Sequence, residues 1–496
     1  MSDQTVGDTP ADAETPADAD SPADAVPTAP RRLSRAAGDG GPAAPVRMLH
    51  LGLGNFFRAH QAWYTAHAPD AADWGIAAFS GSRPDLPEAL AAQDGLYTLV
   101  TRGADGDRNE VLAGLSAVHP GGDHAAWLGH WRRPALAVVT LTVTEAGYTR
   151  RADGGLDTDR PDVAADLAAL RADPLAPVRT AVARLLAGLA ARRAAGLGPV
   201  ALVPCDNLPA NGAALARLLR EAAARVGGAR FTEAVEQGAT WVTTMVDRIT
   251  PATTDADREA LAGASGIADA APVLTEPFSE WVLSGEFPAG RPDWEQAGAR
   301  LVDDVTPYEE RKLWLLNGAH SLLAYAGSAR GHATVAEAVA DPDCRRWVEQ
   351  WWAEASAQLR LPAAELAAYR AALLERFGNP RIRHALAQIA ADGSQKLPVR
   401  ILPVLRRERA AGRMPDGAVR VLAAWLAHLR GFGAPVRDAG AEPLLPNARG
   451  PLPDAVRGVL AALDPASEDG SAALGSDEVL VAALLGAVRA DFPEAR

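Results

Sequence analysis

From Val46 onward, short apolar runs alternate with longer amphipathic stretches rich in Ala, Leu and Arg, as when strands and helices take turns along a chain. The apolar runs predict strands at 46–51, 75–79, 136–143, 199–204 and 240–245. Beyond about residue 300 the strand signals fade. A helical period there predicts helices at 308–326, 345–359, 363–376, 383–391, 416–430, 453–463 and 476–490. The expected fold class is α/β over residues 45–300, followed by a mainly α-helical C-terminal domain over 301–496. Residues 1–44 hold Ala, Asp, Pro, Thr and Gly with almost nothing large and apolar, so they are expected to be a disordered acidic tail. No internal repeat is visible.

Composition changes this picture little but excludes several classes. The chain has 496 residues, 48% hydrophobic and 22% charged, a globular balance with room for two or three cores. A formal net charge of -13, with arginines interspersed among acids, argues against a nucleic-acid partner. No uninterrupted apolar run approaches the roughly 20 residues a membrane helix needs, and the N-terminus is acidic, so neither a membrane nor a secretory role is expected. Cys205 and Cys344 stand far apart without a CxxC partner, which suggests neither a disulfide framework nor a cysteine zinc site. A cytoplasmic enzyme or binding protein fits these bounds.

The segment 46–60, VRMLHLGLGNFFRAH, runs from an apolar strand into Gly52-Leu53-Gly54. Missing side chains there permit a tight turn and let backbone N–H groups approach a pyrophosphate at the start of the next helix. The third glycine of the usual fingerprint is replaced by Phe57, so an ordinary strand-to-helix turn stays open on this segment alone. Gly52, Gly54, Asn55, Phe56 and Arg58 around the turn, with Thr144 and Glu145 after a later strand, are the candidate cofactor contacts. Glu145 would as readily cap the next turn.

Of 49 basic residues only two are lysine, Lys312 and Lys396. Arginine keeps its proton, whereas a lysine ammonium can be tuned downward by burial and then act as a base, so a proton-transfer role is favoured at one of these positions. Asparagine is also rare, and Asn55, Asn207, Asn211, Asn317 and Asn379 sit in segments resembling site loops or helix starts. Lys312 belongs to YEERKLWLLNGAHSLLAYA, residues 308–326, which has an apolar helical period. At about 100° per residue, Lys312, His320 and Asn317 fall at roughly 0°, 80° and 140° around the axis and share a cleft-facing side. Glu309, one turn earlier, is placed to pass a proton between Lys312 and solvent. A core helix with a snorkelling lysine would show the same period.

Six ordered segments carry a family resemblance: 50–60 HLGLGNFFRAH, 140–148 TLTVTEAGY, 204–212 PCDNLPANG, 244–251 TMVDRITP, 276–282 EPFSEWV and 312–320 KLWLLNGAH. Together they resemble the polyol-specific long-chain dehydrogenases, the mannitol dehydrogenase family, from Val46 to about Arg406. The resemblance implies an N-terminal Rossmann-type dinucleotide-binding domain, a helical second domain and NAD as cofactor. It implies that Lys312 is the general base, that Asn317 and Asn207 hold the alkoxide oxygen, that His320 orients substrate, and that Asp247 lines the site. The small-molecule partner it implies is a polyol, a ketose or a sugar acid.

That chemistry asks for no metal. The histidines lack metal-ligand spacing, and Cys205 stands alone beside the CDN turn. Tyr308 precedes Lys312 by four residues, a spacing seen in short-chain dehydrogenases, but outside any predicted nucleotide-domain helix. The stretch 376–401, RFGNPRIRHALAQIAADGSQKLPVRI, is most similar to the fructuronate reductase (mannonate oxidoreductase) branch, and Arg383, His384 and Lys396 would suit an anionic substrate end. Mannitol to fructose and mannitol 1-phosphate to fructose 6-phosphate stay open, as does a non-catalytic dinucleotide-binding regulator. Residues 75–85, GIAAFSGSRPD, place Ser80, Ser82 and Arg83 where an NAD-specific chain usually has an acid, so NADP is not excluded. Trp351 and Trp352 are expected in the core or at an interface.

Overall fold

The computed structural model describes residues 30–81, 85–464 and 473–495. In chain order the strands are β1 (Val46–Leu51), β2 (Gly75–Phe79), β3 (Tyr97–Gly103), β4 (Gly106–Leu112), β5 (Leu115–His119) and β6 (Val138–Leu141). They continue with β7 (Val200–Pro204), β8 (Ala239–Trp241), β9 (Thr243–Asp247), β10 (Val273–Thr275), β11 (Glu280–Ser284) and β12 (Arg300–Leu301). One sheet has the order β5-β2-β1-β6-β7-β8, and every pairing in it is parallel. Counted along the chain, those six strands lie in the order 3-2-1-4-5-6, which leaves a switch point between β1 and β6.

Both faces of this sheet are covered, which explains why its strands read as unbroken apolar runs. Leu49, Leu51, Phe79, Val139 and Leu202 pack with the helices Ala181–Ala194 and Asn211–Val226. Met48, Ile76, Val138 and Val203 pack on the other side with Phe57, Tyr64, Trp281 and Trp294.

The first half departs from the sequence reading in three places. The predicted strand 240–245 is two: β8 extends the parallel sheet, while β9 pairs antiparallel with β11. The break falls at the fully buried Val242, and β9 thereby carries Asp247 away from the main sheet. The hairpin β3–β4 went unread because the solvent-facing residues of β4 are almost all polar. The tail expected through residue 44 does not hold for residues 30–44. There Leu33 is fully buried and the Arg35 guanidinium donates to the carbonyls of Gly41 and Ala113, each at 2.7 Å. Residues 1–29 lie outside the described part.

The second half is helical from Thr306. Of the predicted 383–391 helix only Leu386–Ile389 forms, because residues around His384 and Ala385 pair with the 333–335 backbone. Helices at Val335–Ala340, Gly393–Arg400 and Leu402–Ala410 escaped prediction, the second of them because Pro398 sits inside it. Among the described residues no helix is long and apolar enough to cross a membrane.

The element that positions the site runs over 306–327 and changes pitch. It is α-helical at Thr306–Arg311, π-helical at Lys312–Asn317, α-helical at Gly318–Leu322 and π-helical again at Leu323–Gly327. An i→i+5 turn advances roughly 80° per residue instead of about 100°, which narrows the spread of Lys312, Asn317 and His320 from roughly 140° to roughly 60°. Two indoles from the neighbouring helix Pro342–Ala357 meet this segment. Trp351 Nε1 donates to the Trp314 carbonyl at 2.8 Å, and Trp352 Nε1 donates to the Leu315 carbonyl at 2.7 Å. These two carbonyls thus each accept a donor from outside their own helix. Gly318 makes the approach possible, since a Cβ there would stand 2.7 Å from Trp351 Nε1.

Candidate active site

A cleft opens at the carboxyl edge of the parallel sheet and continues under the 306–327 helix. Its first chamber, about 570 Å³, is lined by Phe56, Thr144, Glu145, Asp206 and Asn207 among others. The second, about 520 Å³, is lined by Asn317, His320, His384, Lys396 and Arg400 among others. Glu145, Asn207, Asp247 and Lys312 border both, so they mark the junction.

At the junction Lys312 Nζ donates to Asn207 Oδ1 at 2.6 Å and to the Val246 carbonyl at 2.5 Å. A neutral amine has two hydrogens and one lone pair, so with both hydrogens accepted the lone pair is left for the cavity. Burial lowers the Lys312 pKa. Asp247 and Glu280 pull upward, while Arg376 and Arg400 add to the downward push. Asn207 is engaged through its oxygen, and its amide N–H₂ donates to no described residue. Asn317 projects from the same π turn into the second chamber.

Asp247 is held by a bidentate Arg376, Nη1 to Oδ2 at 2.7 Å and Nη2 to Oδ1 at 3.0 Å. The same guanidinium pairs with Glu276 at 2.9 and 2.7 Å, and all three residues are at least nine-tenths buried. Burial, the largest single influence, raises the Asp247 carboxyl, but the charge and hydrogen bonds of Arg376, with Lys312 and His60, together outweigh it and the net direction is down. Glu276 goes the other way, because burial exceeds what Arg376 returns. Sequence reasoning gave Arg376 no role. The available signal was Glu276, a carboxylate in the run LTEPF that needs a buried counter-ion.

Glu309 accepts a hydrogen bond from Ala210 N at 3.2 Å, and burial pushes its carboxyl up to about 7. Between Glu309 and Lys312 lies a small cavity of about 30 Å³, room for a water or two. His320 is nine-tenths buried, its Nε2 has no hydrogen-bond partner among the described residues, and burial holds it well below its ordinary range and neutral. His384 lies beside it with ring centroids 5.0 Å apart.

The other expected contacts divide. Gly52, at φ +115°, makes the turn and approaches β6 so closely that a Cβ would meet the Thr142 carbonyl at 2.6 Å. Gly54 opens the following helix, and a Cβ there would meet only the Gly52 carbonyl, at 3.5 Å. Phe56, Thr144 and Glu145 line the first chamber. Asn55 and Arg58 do not. Arg58 is buried, donating to the carbonyls of Gly54 and Ala271 and to Asn55 Oδ1, while the Asn55 amide reaches the Pro251 carbonyl. They brace the turn. Arg383 is exposed and borders neither chamber, since the 383–385 backbone is extended and not helical. Arg400, one helix later, stands where Arg383 was expected and donates to the Asn317 carbonyl and Ser321 Oγ. Lys396 borders the second chamber, with part of its donor capacity spent on the Ile389 and Ala391 carbonyls. Asn211 organises the β9 start through Thr244, and Ser82 and Arg83 lie outside the described residues.

A 3-2-1-4-5-6 parallel sheet, a glycine turn at its switch point and a half-buried lysine at the far wall of the cleft define an oxidoreductase of the dinucleotide-binding class. The Mannitol dehydrogenase Rossmann domain matches residues 46–296, and the Mannitol dehydrogenase C-terminal domain matches residues 304–448. The chain belongs to the mannitol dehydrogenase family and is a polyol or sugar-acid dehydrogenase. It is 37% identical to D-mannonate oxidoreductase of Escherichia coli (strain K12), over 78% of this chain and 80% of that one. It is 38% identical to D-arabinitol 4-dehydrogenase of Ralstonia nicotianae (strain ATCC BAA-1114 / GMI1000), over 78% and 84%. Among solved structures, Pseudomonas fluorescens mannitol 2-dehydrogenase in ternary complex with NAD and D-mannitol superposes with a TM-score of 0.74. It is 32% identical, and the match covers 90% of this chain and 91% of that one.

If the indoles of Trp351 and Trp352 hold the π turn, the Trp351→Phe, Trp352→Phe double variant keeps a smaller aromatic ring at each buried position but removes both donors. The expected kcat loss is about tenfold to a hundredfold, the scale of a small misplacement at the reacting centre, with cofactor affinity unchanged. Steady-state kinetics beside a binding titration checks this, and an unaltered kcat would show that the turn stands without them.

Proposed function

We propose that the protein is an NAD-dependent, metal-independent dehydrogenase that interconverts the secondary alcohol of a sugar acid, of the D-mannonate/D-fructuronate type, with its ketose. The observation that carries the chemistry is the Lys312 amine at the junction of the two chambers, with both hydrogens accepted by protein oxygens. Gly52, Gly54, Phe56, Thr144 and Glu145 would hold the dinucleotide. At Gly81, beyond β2, a Cβ would meet no protein atom within 4 Å, so the turn leaves the space such a ligand needs. Bound there, it supplies the acceptor for hydride from the alcohol carbon. Lys312 takes the hydroxyl proton, and Asn207 and Asn317 donate to the oxygen as negative charge develops on it. His320, neutral, orients the substrate. Asp247 fixes the cationic balance around Lys312, and Glu309, near neutrality, passes the proton outward across the small cavity. Nothing in this sequence of transfers needs a Lewis acid, because Lys312 and the two amides do the polarising work.

For the substrate, the residues that border the second chamber alone set Lys396 and Arg400 against one acid, Asp392, beside the neutral His320 and His384, while Glu145 and Asp247 border it at the junction, where Asp247 is paired with Arg376. A carboxylate on the substrate matches that local excess of positive charge at the end away from the junction; a neutral hexitol leaves it unanswered. The relative named D-mannonate oxidoreductase agrees with this. The test is a panel of mannonate, mannitol, arabinitol and mannitol 1-phosphate with NAD and NADP, run on chelator-treated enzyme. Mannonate should exceed mannitol at least tenfold in kcat/KM, and Arg400→Gln should shrink that ratio. A higher value for mannitol, or for mannitol 1-phosphate, overturns the substrate assignment. Activity lost to chelation and restored by zinc overturns the metal-free mechanism.

A further inference from the structure

A third cavity, about 460 Å³, lies on the other side of the glycine turn and meets the first chamber at Val143 and Ala146. Gly52, Gly81, Arg179, Thr180 and Arg184 are among its walls. Arg184 is 5% exposed, with its guanidinium carbon 4.6 Å from the centre of the Trp127 ring and 5.6 Å from that of Phe79. Its Nη2 is buried and makes no hydrogen bond to a described residue. Burial without a counter-ion pushes this arginine down to about 10.

The nearby acids do not answer it. Asp162, in the same cavity wall, is paired with Arg160 at 2.8 Å. Asp166 accepts from the Arg179 and Thr180 amides and from Thr180 Oγ1. That last bond also draws the Thr180 hydroxyl away from capping the helix Ala181–Ala194, whose first turn has no side-chain cap. A desolvated guanidinium, an exposed Arg179 and an uncapped helix start therefore converge on one cavity beside the glycine turn. A buried cation left unpaired is costly, and an anionic ligand removes that cost.

We propose that Arg184, with Arg179 and the start of the Ala181–Ala194 helix, binds a phosphate group of the dinucleotide on its adenosine side. This rests on the dinucleotide reading above and extends it to a subsite beyond the glycine turn. Two phosphates share that chemistry: the bridging pyrophosphate, common to NAD and NADP, and the ribose 2′-phosphate, found only in NADP.

Calorimetric titration of the full chain with NAD, NADP and inorganic pyrophosphate, for the parent and Arg184→Gln, tests it without relying on turnover. Arg184→Gln should weaken dinucleotide binding at least tenfold. Equal weakening of NAD and NADP, with loss of pyrophosphate binding, assigns the pyrophosphate; weakening of NADP alone assigns the 2′-phosphate. Because Arg184 packs against Trp127, Arg179→Gln on the exposed rim serves as the second variant, with an expected loss of threefold or more in the same ligand. Unchanged affinities in both variants overturn the proposal while leaving the dinucleotide reading intact. If Arg184→Gln does not fold, unchanged affinities in Arg179→Gln together with no saturable pyrophosphate binding by the parent overturn it. A parent that binds neither dinucleotide would instead sink the functional reading itself.

Discussion

Lys312→Arg lowers kcat for alcohol oxidation by at least about a hundredfold, the lower end of what general-base catalysis contributes, and Lys312→Ala lowers it at least as far. The argument rests on the proton. Arginine preserves the positive charge and nearly the reach, so it can still donate to Asn207 and the Val246 carbonyl, but it does not give up a proton in a protein. If Lys312 were a fixed charge or a packing stem, arginine would rescue it, as arginine does almost everywhere else in this chain. Because burial lowers the Lys312 pKa, the parent rate of oxidation should rise with pH and level off below the ordinary lysine range, once the amine is neutral. In Lys312→Arg that rise disappears. Dinucleotide affinity, measured by titration, stays within a few-fold of the parent in both variants, since in the proposed mechanism the amine acts on the substrate oxygen and not on the dinucleotide. A Lys312→Arg enzyme within tenfold of the parent and with the parent's pH profile would remove Lys312 from its role as base.

Arg376→Met should be the most destabilising single change at the site. It leaves Asp247 and Glu276 facing each other in a buried pocket without their shared cation, a loss of about 3–5 kcal/mol for a broken buried ion pair. Without Arg376 both carboxyls are governed by burial and mutual repulsion, so their folded pKa values move above the unfolded ones. A carboxyl raised in this way destabilises the fold above its unfolded pKa, where unfolding lets it ionise. The deficit of the variant therefore grows as pH rises from about 4 toward neutrality. Adding Asp247→Asn and Glu276→Gln removes the stranded charges and should return most of the stability, though not the activity, since Asp247 no longer balances the charges around Lys312. Urea or thermal melts at pH 5 and pH 8 give the comparison. A single Arg376→Met variant within about 1 kcal/mol of the parent, with no dependence on pH, would show that the cluster is not held by its charges.

The core strands of the parallel sheet and the glycine turn were legible because they depend on local pattern: runs buried on both faces are apolar throughout, and a tight turn needs glycine at Gly52. Lys312 and Asn317 were legible for a different reason, the scarcity of lysine and asparagine in a chain that otherwise uses arginine. Which cations serve the cleft was a matter of tertiary structure. Sequence singled out Arg383 and passed over Arg400, but pairing of the 383–385 backbone with the 333–335 segment leaves Arg383 exposed, while the following helix brings Arg400 to the cavity. Arg376 reaches Asp247 across 129 residues, a separation over which no periodicity carries information. The pitch of the 306–327 helix was likewise undetermined, since helical pattern fixes an apolar face but not whether a turn closes at i+4 or i+5. Trp351 and Trp352, read from sequence only as bulk, meet that turn with two N–H groups at the Trp314 and Leu315 carbonyls, a contact between separate helices that only their packing creates.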